Sequence, residues 1–375
     1  MNIRIPLAKP EILESDIDAV VRVLRTPNLA LGPALIEFEQ KFAAYVGSPY
    51  AVAVNSGTSA LHLAVRCLDL REGDEVIAPS FTFAAVANVL LQERLAPVFV
   101  DIDPRTLNAT PAAIEAAIGP RTRAILAVHT FGYPAAIDAI CEIARQHKLP
   151  MIEDACEALG AEVRGRKVGT FGAAGLFALY PNKQITTGEG GILVTSDPAI
   201  ARRANILRSQ AKDDSLDWAA QHTEIGYSYR VADINCALGS AQLSRLGSLL
   251  EQRQKLAARY EARLSNHPSI LPPKSTCSYG RISWFAYVMQ LSEGFTRQDR
   301  DRIWQALLDR GIGAGRYFAP LHNQPVLQGR HRRSGSMAVS ESAASRVLAL
   351  PFFVGLTENQ IEEVCCTLSS LLEPR

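Results

Sequence analysis

Between residues 50 and 195, short runs of β-branched and small apolar residues alternate with amphipathic stretches at the spacing of strand–helix units. No other feature of the chain narrows the fold as much. Strands are expected at Tyr50–Val54, Glu75–Ala78, Pro97–Asp101, Arg123–His129, Pro150–Glu153, Gly175–Leu179 and Ile192–Thr195. Helical patterns fall between them at Ser59–Leu68, Phe83–Leu91, Pro111–Ile118 and Ala136–His147. The implied fold class is α/β: a large three-layer α/β/α domain around a mostly parallel sheet of seven strands, covered on both faces.

Beyond this core a helical pattern runs from Asp233 to Leu264, apolar first and then charged, as suits a spine joining the sheet to a second unit. After Pro272-Pro273 the pattern changes. Phe285–Leu291 reads as a strand, Arg297–Arg310 as a helix and Ile361–Leu372 as a terminal helix. The expected division is therefore residues 1–245, the large domain with its N-terminal segment, and residues 246–375, a smaller C-terminal α+β domain. Neither a GxGxxG nor a GxxxxGK[ST] run occurs, so Rossmann and P-loop readings lose their usual fingerprint.

A chain of 375 residues has room for a full-sized core, and a formal net charge of +1 marks no polyanion-binding surface. Nucleic acid is not an expected partner. The N-terminal Met1-Asn2-Ile3-Arg4-Ile5-Pro6 lacks a charged-then-apolar leader, and no apolar run spans a bilayer, so no membrane contact and a cytoplasmic location are expected. Seven cysteines without CxxC spacing read as buried thiols, and no metal site is expected.

In open α/β sheets, ligands bind beyond the carboxyl ends of the strands, and three strand ends carry polar residues of interest. Asn55-Ser56-Gly57-Thr58-Ser59 opens a helix with free N–H groups and a positive dipole end, suited to a phosphate; the same residues would also make an ordinary N-cap. Ile152-Glu153-Asp154 closes a strand on two acids, where a carboxylate can pair with a protonated ring nitrogen or simply cap a helix. Lys183 follows Phe177–Asn182 and precedes Thr187-Gly188-Glu189-Gly190-Gly191. A lysine there is placed to act as a Schiff-base nucleophile, against the commoner fate of a solvated surface lysine. No one of the three is specific. Together they supply a phosphate cradle, a ring-nitrogen acid and an amine, the parts of a pyridoxal 5′-phosphate (PLP) pocket.

With these residues in order, the sequence resembles the sugar aminotransferases of DegT/StrS type, among the fold-type I PLP enzymes, and within them those similar to GDP-perosamine synthase. The resemblance runs nearly end to end, through Pro6–Pro10, Leu29–Pro33, Asn55–Leu61, Pro79–Phe83, Glu153–Ala155, Lys183 with Thr187–Gly191, and Gly226–Arg230. It implies that Lys183 forms the Schiff base and shuttles the proton, while Asp154 holds the pyridinium nitrogen. It also implies that Phe83 stacks on the cofactor ring, that Gly57, Thr58 and Ser59 form the phosphate loop, and that Glu157 stands where Gln or His is usual near the cofactor hydroxyl. Ser228 replaces the family's Asn that reaches the phosphate from a neighbouring subunit, and the resemblance implies that Arg230 beside it supports the interface or the phosphate, with an ordinary surface ion pair as the alternative. Ala178 replaces a phosphate-binding Ser. The segment Gly315–His322 resembles the border of the sugar site, which makes Tyr317 and His322 candidate substrate residues; a hydrogen-bonded structural role is the alternative for His322, as it is for His129.

The expected reaction is ping-pong transamination through pyridoxamine phosphate, from glutamate to a nucleotide-linked 3-keto or 4-keto hexose. Its product is an amino sugar for polysaccharide, lipopolysaccharide or glycoside biosynthesis. A homodimer with shared active sites is implied. The rival readings are a keto-inositol (cyclitol) aminotransferase and a non-catalytic PLP-binding sensory protein. Dehydratases of the family carry His in place of the lysine, and Lys183 speaks against that branch.

Overall fold

The computed structural model describes residues 3–213 and 215–373. Its centre is a sheet in the spatial order Tyr50–Val54, Gly191–Thr195, Ala174–Ala178, Met151–Asp154, Thr122–Val128, Glu75–Pro79, Ala96–Val100 and Arg332–Arg333. All neighbours pair in parallel except Gly191–Thr195, which runs antiparallel to both strands beside it. Seven of these strands stand within one residue of the expected limits. The eighth, only two residues long, is contributed by the C-terminal part of the chain and adds to the edge at Val98–Phe99. A two-residue strand leaves no periodic trace in a sequence.

Period-two alternation divides the strand side chains between two cores. One face carries Ile77, Val98, Ile125, Phe177 and Ile192 against Phe38, Phe42, Ile137 and Ile140. The other carries Val54, Val76, Phe99, Leu126 and Leu176 against helices Gly57–Arg66 and Ala85–Gln92. Both faces are covered, which is why the strands read as continuous apolar runs.

The chain's first fifty residues hold two helices, Glu14–Leu24 and Pro33–Val46, which pack on Asp233–Ser244. Asp233 is fully buried, and its carboxylate accepts the N–H groups of Gly32 (2.8 Å) and Ala34 (3.0 Å) at the start of the second helix. The expected continuous helix over 233–264 is instead two, Asp233–Ser244 and Leu246–Leu264. The break falls at Arg245 (φ −113°, ψ 8°), whose guanidinium turns out of the helical path onto Asp16 (2.7 Å) and Glu11. A tertiary ion pair overrides a local propensity that would have carried the helix through.

A second, antiparallel sheet of Ile270–Leu271, Tyr287–Leu291 and Val347–Leu350 packs on helices Leu246–Leu264, Arg297–Asp309 and Glu358–Leu372 through Tyr260, Tyr287, Leu307 and Leu368. No helix among the described residues is long and apolar enough to cross a membrane.

Candidate active site

With one strand reversed, the carboxyl ends of the others gather at one edge of the sheet, and a cavity of about 670 Å³ opens there. Its walls bring together Gly57 and Thr58, Phe83, Asp154, Glu157, and Lys183.

Gly57 begins helix Gly57–Arg66, and Ser56 caps it by accepting the N–H of Ser59 at 3.0 Å. The N–H groups of Gly57 and Thr58, both in the cavity wall, are left without carbonyls of their own helix to meet. Glycine is required at position 57 by a close approach: a Cβ there would lie 2.7 Å from Cβ of Ala178 and 3.3 Å from Sγ of Cys156. Thr58 is exposed and lines the cavity, whereas the Ser59 hydroxyl is spent on Asn55 Oδ1 (2.6 Å) and Ser56 Oγ (2.9 Å). Ser59 braces the loop from behind.

Strand alternation separates the two adjacent acids. Met151 belongs to one core and Ile152 to the other, so Glu153 and Asp154 point to opposite faces. Asp154 reaches the cavity, with Oδ1 accepting the N–H of Cys156 at 3.0 Å. Glu153 is fully buried on the far side and accepts the backbone N–H groups of Gly169 (2.8 Å), Phe171 and Gly172 (2.7 Å). His129 stands beside it. Its Nδ1 accepts the N–H of Ala135 (3.0 Å), which assigns the proton to Nε2, 3.3 Å from Glu153. His129 thus lies outside the cavity, holding the carboxylate that holds the 169–172 turn.

Lys183 sits in a turn closed by its own N–H on Tyr180 O (2.9 Å). The ammonium lies 4.1 Å from the ring centroid of Phe285 and 3.6 Å from Oε1 of Glu157. Burial pushes the Glu157 carboxyl above its ordinary range, opposed by the Lys183 charge and by the Phe131 N–H that donates to Oε2 at 2.9 Å.

The aromatic wall is built by Phe83, Tyr317 and Phe318. Phe83 is 61% exposed and meets Phe318 edge-on at 6.2 Å, while Phe318 stacks on Phe131 at 5.3 Å. Tyr317 lines the cavity. His322 does not: it is buried behind the wall, with Nδ1 2.6 Å from Ser80 Oγ and Nε2 3.0 Å from Glu341. That hydrogen bond, with a second from Asn323, holds the Glu341 carboxyl below its ordinary range.

Ser228 and Arg230 also lie outside the cavity wall, bonded to each other at 2.8 Å. Between them Tyr229, stacked on Tyr227 at 4.8 Å, turns inward and meets His62 Nδ1 at 2.8 Å. His62 is held in turn by Glu93 (2.6 Å). The alternation anchors one side of this strip and leaves Ser228 exposed on the other.

Residues 10–369 match the DegT/DnrJ/EryC1/StrS aminotransferase family. The chain belongs to that family. GDP-perosamine synthase of Caulobacter vibrioides is 37% identical over 370 residues, covering 98% of each chain. DesV of S. venezuelae, solved in complex with a ketimine intermediate, is 34% identical with a TM-score of 0.88 over 96% of this chain and 95% of that one. The PLP form of the sugar aminotransferase Spr1654 of Streptococcus pneumoniae, described as putative, has a TM-score of 0.92 at 25% identity over 99% and 98% of the two chains. This DegT/DnrJ/EryC1/StrS member is accordingly a PLP-dependent sugar aminotransferase acting on small molecules.

The cavity suits that cofactor. Besides the amine, the carboxylate and the helix start, Asn182 turns a buried Oδ1 without a hydrogen-bond partner in the wall. Sequence reasoning missed Asn182, Phe285 and Phe318. Asn182 stood inside the quoted Lys183 motif and was legible there. Phe285 comes from 102 residues beyond Lys183 and read as the first residue of a strand, so nothing local marked it.

Proposed function

We propose that this enzyme moves an amino group from glutamate to a nucleotide-linked hexose bearing a ketone at C3 or C4, giving an amino sugar for polysaccharide, lipopolysaccharide or glycoside biosynthesis. The observation that carries the reading is the convergence of the Lys183 amine, the Asp154 carboxylate and the Gly57–Thr58 helix start on one cavity. PLP, when bound, supplies an electron sink for the charge left when a proton departs from the carbon bearing nitrogen.

Lys183 would hold the cofactor through its amine and would serve as the base that moves a proton at the substrate carbon; such acid–base help is typically worth about 10²–10⁴-fold. Asp154 accepts the ring N–H in a charge-assisted bond and so keeps that nitrogen protonated. Gly57 and Thr58 direct N–H groups and the positive end of the helix at the phosphate, and Ser59 fixes the loop that carries them. Phe83, in the cavity wall, would cover a face of the cofactor ring, and Glu157, 3.6 Å from the lysine ammonium, would meet its hydroxyl. Tyr317 bounds the sugar's side of the cavity, and His322 stays behind it, bonded to the buried Ser80.

The working unit is a homodimer in the cytoplasm. Ile17, Leu24, Leu31 and Ile36 are 45–55% exposed on the N-terminal helices and the loop between them, an apolar surface of the kind a second copy covers. In that dimer the exposed Ser228 and its neighbour Arg230 would reach the phosphate of the neighbouring site.

The test is single-turnover conversion of glutamate to 2-oxoglutarate, followed by amination of nucleotide keto-hexoses with the product read by NMR. Lys183→Ala should abolish both while still binding cofactor. Amination by that variant at the normal rate, or a wild-type enzyme that takes no amine from glutamate, would overturn the reading.

A further inference from the structure

Arg253 is a buried cation with no acid to answer it among the described residues. It lies midway along helix Leu246–Leu264, is 4% exposed, and among the described residues no carboxylate lies within ion-pair distance of it. Burial alone pushes its guanidinium down to about 10. An unpaired buried charge is expensive to keep, and an apolar side chain of equal volume often serves stability as well or better. What the guanidinium touches accounts for its presence.

Its hydrogen bonds all go to backbone carbonyls, and these come from two places. Nη2 donates to the carbonyl of Lys183 at 3.2 Å. Nη1 donates to the carbonyls of Phe285 (3.2 Å) and Trp284 (3.4 Å). Phe285 is also the residue whose ring faces the Lys183 ammonium at 4.1 Å. One rigid fork therefore grips Lys183 at its main chain and, through Phe285, fixes the surface on which its amine rests. The next residue repeats the link: Gln184 Nε2 donates to Glu157 O (2.7 Å) and Ser283 Oγ (3.2 Å). With the Lys183 N–H tied to Tyr180 O, the lysine backbone is held on both sides, and Arg253 ties its carbonyl to the 284–285 segment, next to the Ser283 that Gln184 reaches.

We infer that Arg253 is a positioning residue for Lys183, setting where the amine stands in the cavity by joining the 183–184 turn to the 284–285 segment. The inference rests on Lys183 as the cofactor's attachment point. A planar fork can hold carbonyls on two segments at once; a lysine ammonium in its place keeps the charge without the span. A structural staple and a positioning residue differ in what they move. The staple moves the unfolding midpoint, while the positioning residue moves the encounter of the amine with its aldehyde.

The experiment compares the full-length enzyme with Arg253→Met and Arg253→Lys. Three readouts are taken: the thermal midpoint, the rate at which added PLP becomes lysine-bound (by absorbance), and kcat and KM with a saturating amino acceptor. The expected result in both variants is attachment slowed at least tenfold and kcat lowered at least tenfold, with KM within threefold and the midpoint within a few degrees. Attachment and kcat within twofold of wild type in Arg253→Lys would overturn the inference, since charge without the fork would then suffice. A lowered midpoint with unchanged attachment in either variant would overturn it too, in favour of a staple. Should Arg253→Met fail to fold, Arg253→Lys decides alone. Wild-type enzyme that fails to attach PLP at Lys183 would sink the functional reading instead; wild-type attachment matched by the variants would sink only this inference.

Discussion

Replacing Glu153 by Gln and, separately, Asp154 by Asn tests whether strand alternation gives two neighbouring acids different work. The Glu153 carboxylate takes four donors: Phe171 and Gly172 on Oε1, Gly169 and His129 on Oε2. A glutamine keeps one acceptor oxygen and puts an NH₂ against the other two donors, whichever way it is turned. If His129 changed tautomer to accept that NH₂, its Nδ1–H would oppose the Ala135 N–H that now donates to it. Two buried donors are thus left unmet, at roughly 1–3 kcal/mol each, and the remaining bonds lose their charge assistance; Glu153→Gln should cost about 3–5 kcal/mol of stability. Asp154→Asn keeps an oxygen for the Cys156 N–H and should change stability by less than about 1 kcal/mol. What it loses is the charge proposed to face the ring nitrogen, so turnover should fall by roughly 10²–10³. Urea midpoints at unchanged slope measure the first effect, and single-turnover oxidation of glutamate the second. Glu153→Gln as stable as wild type, or Asp154→Asn turning over normally, would refute the division of roles.

Glu157→Gln probes the raised carboxyl. Because its folded value is raised, by burial first, the stabilising contribution of Glu157 is complete below its ordinary 4.5 and is lost as pH climbs through the folded value. The Gln variant should gain on wild type across that window and hold a constant difference above it, read as the difference in denaturation midpoints; parallel curves would refute the assignment. Gly57→Ala forces a methyl to within 2.7 Å of Ala178 Cβ, so the helix start must move away from the strand; overpacking of this kind costs about 1–3 kcal/mol, and PLP affinity by absorbance titration should drop at least tenfold.

The Lys183 and Asp154 candidates and the seven main strands were legible from local pattern because each strand is buried on both faces and writes an unbroken apolar run. Gly57 was legible for a different reason: a helix starting directly after a strand needs a cap and a close packing contact, and both leave small residues in the sequence. Ser59 and His322 illustrate the converse. Their residue types suit a site, yet the hydroxyl of Ser59 and both nitrogens of His322 are taken up by neighbours, one of them 242 positions away in the chain. No periodicity reports whether a polar atom is already occupied.

By itself, then, the order of residues determined the layered α/β architecture, the strand ends that border the cavity, and, as candidates, the amine, the acid and the glycine turn at the helix start. Those are set by hydrophobic period and by local backbone needs, which act over a few residues. Tertiary structure alone decided that Phe285 carries the lysine's ammonium, that Arg253 grips its backbone, and that the helix over 233–264 breaks at Arg245. Each is settled by which distant carbonyl, ring or carboxylate satisfies a buried polar group, and such partners exist only once the chain has folded.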